Sequence, residues 1–476
     1  MKSKMKKTVK LLILFILFSL FLLVSLFFKN NSEIVLTNRD ALKLSYEKKK
    51  KERFLQLINK KENEINKLKE SGCVELMVDN KIFDLKNEEI NLTKIPEQII
   101  CQKWEIKHLK PPRYIHGLYY PSFAILNSYR KKNLYNLVNQ NKINSVVIDI
   151  KEVDGKVAFD MSKFKFGKIK PKNSNIIKNP KKLIEELHKR GIYTIARIVV
   201  FKDKILAEKR PDLALQLKNT HKVWTDRGGK KYLDPNSKEV WEYIKNIARA
   251  AYLTGFDEIN FDYVRYPSDG ALTKIYYPKS EKNILADEKW ARAKILDEFF
   301  NYLTTNLRKE FPDIQLSADL FGQTVLESND LKIGQIFEDA LLYFDRVGPM
   351  TYPSHYNPHF IGLNTADSHP YKVIDYNLKK INQKIKFINQ KIDLAKKNKK
   401  NIELRKGFVV KKKYQELEKI SKKNVIPWYQ AFSCTWCKNY IPYGKKQIEA
   451  QIKAGEKNGY ENWFFWNAAG FYSRYF

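Results

Sequence analysis

The sequence runs to 476 residues with 43% hydrophobic content, long for one average domain but suited to a large barrel with an N-terminal attachment. A formal charge of +35 would ordinarily suggest nucleic acid or an anionic surface. The excess is mostly lysine scattered through Lys/Asn/Ile-rich segments, with no dense basic motif or reading module. That argues against nucleic acid and leaves a polyanion-binding surface as a weak alternative.

Lys2, Lys4, Lys6, Lys7 and Lys10 precede an apolar run from Leu11 to Phe28, broken only by Ser19 and Ser25. The run is long enough to span a bilayer, and the lysines favour a cytoplasmic N-terminus. No small-x-small cleavage site follows before Phe27-Phe28-Lys29-Asn30. Residues 1–30 are therefore expected to be an uncleaved signal anchor that holds the chain to the membrane, with the barrel outside the cytoplasm. A cleaved signal peptide, and hence secretion, is the alternative.

Residues 31–112 read as a stalk and a small hairpin. Between Asp40 and Glu70, Leu42, Phe54, Leu55, Ile58, Ile65 and Leu68 recur at roughly helical spacing. The segments 74–78 and 82–85 flank Asp79-Asn80-Lys81 as hairpin strands would. Cys73 and Cys101 bracket that segment and would close it if paired. Cys434-Thr435-Trp436-Cys437 is a single CxxC, which suggests a loop disulfide or two free thiols and not a four-sulfur zinc site.

From Tyr114 onward strands alternate with helices. The predicted strands are 116–120, 145–150, 193–199, 257–262, 314–320, 346–352, 425–432 and 461–466. Predicted helices include 180–190, closed by Gly191, 238–253, opened by Asp234-Pro235, and 288–310. Eight such strands are the count for a (β/α)8 TIM barrel, assigned to residues 113–476. An open doubly wound sheet is the alternative, but no glycine-rich phosphate loop follows the first strand. The long connection 202–234 follows the third strand, and its length predicts a functional loop. The Lys/Asn/Gln/Ile-rich stretch 374–424 reads as an exposed helical insertion with a solvated charged face.

The most informative strand is Gly255-Phe256-Asp257-Glu258-Ile259-Asn260-Phe261-Asp262-Tyr263. Glu258, Asn260 and Asp262 alternate with apolar residues, and in a helix-covered parallel sheet neither face is wet. The polar face must then point into an interior or a site, with Asp262 at the strand end where a barrel carries its active site. Other strand ends supply Asp149 and Lys151, Arg197, Asp319, Tyr352 with His355, Gln430, and Trp466. Acids, aromatics and amides without a metal motif or nucleotide loop suit carbohydrate chemistry, so no metal and no cofactor are expected.

Each residue also has a plainer reading. Lys151 could simply neutralise Asp149. Glu258 lies roughly 13 Å below Asp262 at about 3.3 Å per residue, which favours a buried ion pair, with Arg197 as the expected partner. Trp224 and Trp466 could be packing residues, and His355 a loop residue.

Several segments resemble a known family. They are Ala196-Arg197-Ile198-Val199-Val200-Phe201-Lys202-Asp203, Trp224-Thr225-Asp226-Arg227, Leu233-Asp234-Pro235 and the stretch from Gly255 through Arg265-Tyr266-Pro267. Pro349-Met350-Thr351-Tyr352-Pro353-Ser354-His355-Tyr356 and Pro427-Trp428-Tyr429-Gln430-Ala431-Phe432 belong with them. The chain is similar over about 114–472 to the glycoside-hydrolase-like TIM-barrel family first catalogued as a bacterial domain of unknown function. It departs from that family in its Lys-rich insertion and its Cys434/Cys437 loop. The resemblance implies a (β/α)8 glycosidase-like domain on an exported protein.

The combined expectation is a membrane-anchored, extracytoplasmic hydrolase of a polysaccharide. Asp262 is expected as nucleophile or base and Asp319 as general acid, with the exchanged assignment open and Asp149 assisting. Trp224, Asp226, Arg265, Tyr352, His355, Gln430 and Trp466 are expected to bind the glycan. The alternative is a carbohydrate-binding or envelope-organising protein on the same barrel.

Overall fold

The computed structural model describes residues 60, 75–78, 81–84, 100–102, 107–437 and 439–476. The chain divides into two compact units, 1–104 and 105–476. The expected anchor, the Cys73–Cys101 pairing and, apart from helical Lys60, the expected stalk lie outside the described residues. Among the described residues no helix is long and apolar enough to cross a membrane. In the first unit, Glu75–Val78 pairs antiparallel with Lys81–Asp84, with Val78 opposite Lys81, the pairing expected of hairpin strands. A third strand, Ile100–Gln102, joins the other edge of Glu75–Val78.

The second unit is a closed parallel barrel. Its strands are β1 His116–Tyr120, β2 Ser145–Lys151, β3 Tyr193–Val199 and β4 Glu258–Asp262. They continue as β5 Gln315–Phe321, β6 Arg346–Met350, β7 Trp428–Gln430 and β8 Trp463–Trp466. Each strand pairs in parallel with the next, and β8 returns to β1 with Trp463 opposite His116. Closure pairs every barrel strand on both sides and excludes the open doubly wound alternative. The longer intervening helices are α1 Ser128–Asn139, α2 Pro180–His188, α3 Lys238–Thr254, α4 Ala291–Glu310, α5 Phe337–Tyr343, α6 Pro370–Asn398 and α7 Lys445–Lys457.

Strand parity sorts the side chains. Val146, Ile148, Ile198, Ile259, Phe261 and Leu316 join the large apolar layer between strands and helices. Tyr119, Val147, Tyr193, Ile195, Trp428 and Phe464 form a second cluster inside the barrel. The polar face of β4 shares that interior, which is why three hydrophilic residues can be fully covered within one short strand.

Three local expectations are corrected. The cap of α3 is Ser237, whose hydroxyl accepts from Val240 N; Asp234 instead accepts from the amides of Asn236, Lys279 and Ser280, tying the β3 loop to the β4 loop. The Lys-rich stretch is not an exposed insertion. Its α6 helix buries Ile374, Leu378, Ile381, Ile385, Ile388 and Ile392, spaced by four and three residues, a stripe hidden in the sequence by abundant Lys and Asn on the opposite face. Lys151 does not neutralise Asp149. A register irregularity between the two sends the Lys151 ammonium to Asp203 at 3.0 Å and to the carbonyls of Val199 and Lys202.

Candidate active site at the C-terminal end of the barrel

Arg197, buried on β3, organises the site. Its Nε donates to Asp262 Oδ2 at 3.1 Å, its Nη2 contacts the same oxygen, and its Nη1 donates to Asp149 Oδ1 at 2.5 Å. Tyr119 Oη, from β1, donates to Asp149 Oδ2 at 2.5 Å. Four residues from four strands thus form one buried, charge-assisted network, where such bonds are strong and each partner fixes the next. Burial pushes the Asp149 carboxyl above its ordinary range, while the nearby Arg197 cation opposes that shift. Burial also raises the Tyr119 phenol, so this hydroxyl stays a donor. The expectation that Arg197 partners Glu258 is therefore corrected: Glu258 pairs with Arg346 of β6 at the opposite end of the strand, Nε to Oε2 at 3.0 Å.

Asp319, on β5, is held differently. Its Oδ1 accepts from Asn260 Nδ2 at 3.0 Å and from Trp428 Nε1 at 2.7 Å. Gly348 on β6 makes room for that approach, since a Cβ there would sit 2.5 Å from Asp319 Oδ1 and 2.9 Å from Trp428 Nε1. Oδ2 is buried and has no hydrogen-bond partner. Burial, and then the neighbouring Asp262 charge, push this carboxyl well above its ordinary range. An unpartnered buried oxygen on such a carboxyl is the natural seat of a proton. Asp262 thus faces a guanidinium, whereas both donors to Asp319 Oδ1 are neutral.

Both acids line one cavity of about 360 Å³, together with Arg197. Tyr352, His355, Arg265 and Trp466 are also in its wall, as expected from the sequence. Trp466 stacks on Tyr119 with ring centroids 3.7 Å apart, and the Arg197 guanidinium lies 4.9 Å from its ring. Tyr352 Oη is buried without a partner, and burial lowers the His355 pKa, favouring a neutral ring. Arg265 Nη1 donates to Tyr266 O and Ser268 Oγ, so it buttresses the β4 loop and does not pair with Asp262. Tyr263 also lines the cavity and has φ +53°, a strained left-handed turn that ends β4 directly after Asp262.

The remaining expected binding residues lie elsewhere. Trp224 is buried in a satellite cluster with Leu215, Tyr232 and Tyr266, where the β3 and β4 loops pack together. Asp226 pairs at 3.1 Å with Lys202, which does line the cavity, so it acts behind the wall. Gln430 is fully buried: Oε1 accepts from Ser354 N, and Nε2 donates to Asp367 Oδ1 and Phe432 O. It ties the β6 loop to the β7 loop. The sequence reading missed Tyr119, Asn260 and Trp428 as partners of the acids. The signal available was parity, since Asn260 shares its strand face with Asp262.

The chain is similar to several solved structures. The glycoside hydrolase domain of PgaB (BpsB) from Bordetella bronchiseptica is 16% identical with a TM-score of 0.50, covering 76% of this chain and 95% of that one. A hypothetical protein from Ruminiclostridium thermocellum ATCC 27405 is 31% identical with a TM-score of 0.35, covering 42% of this chain and 96% of that one. An α-galactosidase from Lactobacillus brevis is 11% identical with a TM-score of 0.40, covering 75% and 37% respectively. No curated protein matches the sequence. Residues 117–393 and 385–472 match the family described as "Putative glycosyl hydrolase domain". The match runs from the first barrel strand to the loop after the last, and this chain belongs to that family.

Proposed function

We propose that this barrel hydrolyses glycosidic bonds of an extracytoplasmic polysaccharide. The observation that carries the reading is the pair of unlike carboxyls on one cavity: Asp262 joined to Arg197, and Asp319 with a raised pKa and a free buried oxygen. In this reading Asp319 Oδ2 gives its proton to the leaving-group oxygen as the glycosidic C–O bond breaks. Asp262 supports the positive charge developing at the anomeric carbon, either by bonding to it or by taking a proton from the attacking water. Asp149 holds Arg197 in place and does not touch the reacting atoms. Trp466 offers an apolar face to a sugar ring, and Tyr352 Oη an unused hydroxyl.

The test is reducing-end release from a panel of bacterial and host polysaccharides by the full chain, beside Asp262→Asn and Asp319→Asn. Product from the wild type alone is expected. Undiminished turnover in either variant would remove its assigned role, while glycan binding without product from any of the three would support the non-catalytic alternative. The lysine-flanked apolar run supports the placement outside the cytoplasm. Protease added to intact cells should then digest the barrel, and protection until lysis would reverse that placement.

A further inference from the structure

The Cys434–Cys437 loop has no part in the chemistry above. In the structure the two cysteines form a disulfide, and Cys437 N also bonds to Cys434 O at 2.8 Å, closing a four-residue turn. Cys434 is fully buried, whereas Trp436 near the tip of the turn is 74% exposed. A cross-link at the base of so short a turn stops the indole from folding back under neighbouring residues.

A lone exposed aromatic would be unremarkable on any surface. This one is oriented and connected. Its ring lies nearly parallel to that of Phe432, at 10° with centroids 6.0 Å apart. Phe432 in turn contacts Tyr352 at 5.8 Å and His355 at 6.1 Å, and both of those line the catalytic cavity. The loop follows β7, so it stands on the C-terminal face beside the cavity mouth. Cys437 Sγ lies 3.8 Å from Ser354 O, and Gln430 bonds to both Ser354 N and Phe432 O, so the two loops hold each other in register. The result is a run of aromatic contacts from the cavity wall to the exposed indole of Trp436.

We infer that Trp436 is a sugar-stacking platform outside the catalytic cavity, and that the substrate is a polymer whose chain continues from the cavity across the β7 loop. The inference rests on the hydrolase reading for the placement of the cleaved bond. The platform itself rests only on exposure, orientation and continuity. A pyranose ring presents C–H groups on one face, and a rigid indole binds that face with little loss of rotamer freedom. The cavity, at about 360 Å³, is at the small end of ligand sites and suits one or two rings. Further rings of a chain must therefore lie on the rim, where Trp436 stands.

The experiment is affinity electrophoresis of the full chain in the Asp319→Asn background, in gels containing chitosan, hyaluronan, dextran or xylan. Retardation is expected in at least one gel. Trp436→Ala should weaken it roughly tenfold, about 1.4 kcal/mol, and Trp436→Phe much less. With active protein, Trp436→Ala should raise KM for the polymer by a similar factor while leaving kcat and turnover of a short chromogenic glycoside unchanged. Trp436-dependent retardation without product from the wild type would refute the hydrolase reading and leave the platform standing. Product from the wild type with retardation indifferent to Trp436→Ala would overturn the platform alone. Absence of retardation in every gel overturns it as well. So does loss of flotation with phosphatidylglycerol vesicles in place of loss of polymer binding, which would reassign the indole to a lipid surface.

Discussion

The two ends of β4 carry the same kind of interaction and put it to different uses. At the N-terminal end Glu258 is fully buried against Arg346 and accepts from Tyr193 Oη at 3.0 Å. Arg346 Nη2 adds a bond to Gln315 Oε1, so the guanidinium is closed in by β3, β4, β5 and β6. At the C-terminal end Asp262 is buried against Arg197, but here the strand opens on a cavity and a second carboxyl, Asp319, stands nearby without a cation of its own. An ion pair alone therefore says little about function. What separates the ends is access to a cavity and the presence of a carboxyl whose surroundings keep it neutral.

The comparison can be broken most severely at the catalytic end. Asp319→Asn should lower kcat by roughly 10²–10⁴ while changing stability little, because the amide oxygen can still accept from Asn260 and Trp428. Reducing-end kinetics beside a urea melt would check both halves. If the protein unfolded in step with the lost activity, Asp319 would be structural like Glu258.

The opposite end should give the opposite profile. Glu258→Gln leaves Arg346 without its buried counter-charge and should cost about 3–5 kcal/mol of stability, with kcat of the folded fraction retained. The urea midpoint reads the first effect and turnover below the transition reads the second.

A pH profile sharpens the contrast without mutation. Asp319 works in its protonated form, and burial with the Asp262 charge raises its pKa, so activity should persist above the ordinary carboxylate range and fall as pH rises through the raised value. Asp319→Asn should lack that alkaline limb. An alkaline limb at an ordinary carboxylate pKa would show that the acid is not Asp319.

The smallest effect is expected at a third buried pair, outside the barrel. Asp297 on α4 accepts from Tyr343 Oη and Lys411 N, and burial pushes its pKa up to about 6. Asp339 on α5 is buried, and burial, then the Asp297 charge and a hydrogen bond to Asp297, raise it well above the ordinary range. The pair shares a proton that Asp339 donates. Because the folded pKa values exceed the unfolded ones, stability is fullest below the unfolded carboxylate range and declines as pH rises through about 6. Asp339→Asn, which donates without ionising, should flatten that decline and add about 1–2 kcal/mol near pH 8, measured by urea titration across pH.

The sequence by itself determined the eight-strand order, the parity of β4 and the placement of Asp149, Asp262 and Asp319 at strand ends, because strand alternation and helix stops are local steric properties. It also pointed to Tyr352, His355, Arg265 and Trp466, which all reach the cavity wall. Only the tertiary structure decided the partners. Arg197 and Glu258 lie on adjacent strands, and sequence cannot say which way a long guanidinium leans, so Arg197 turned up to Asp262 and left Glu258 to Arg346. Trp224 and Gln430 looked like ligands for sugar because their residue types are, yet loop packing buried the first and a loop-to-loop bond consumed the second. The α6 stripe was present in the sequence at helical spacing, but a lysine-rich composition concealed which face would find a core. Identity and spacing are written along the chain, whereas charge partnership and access to water depend on what closure of the barrel brings within a few ångströms.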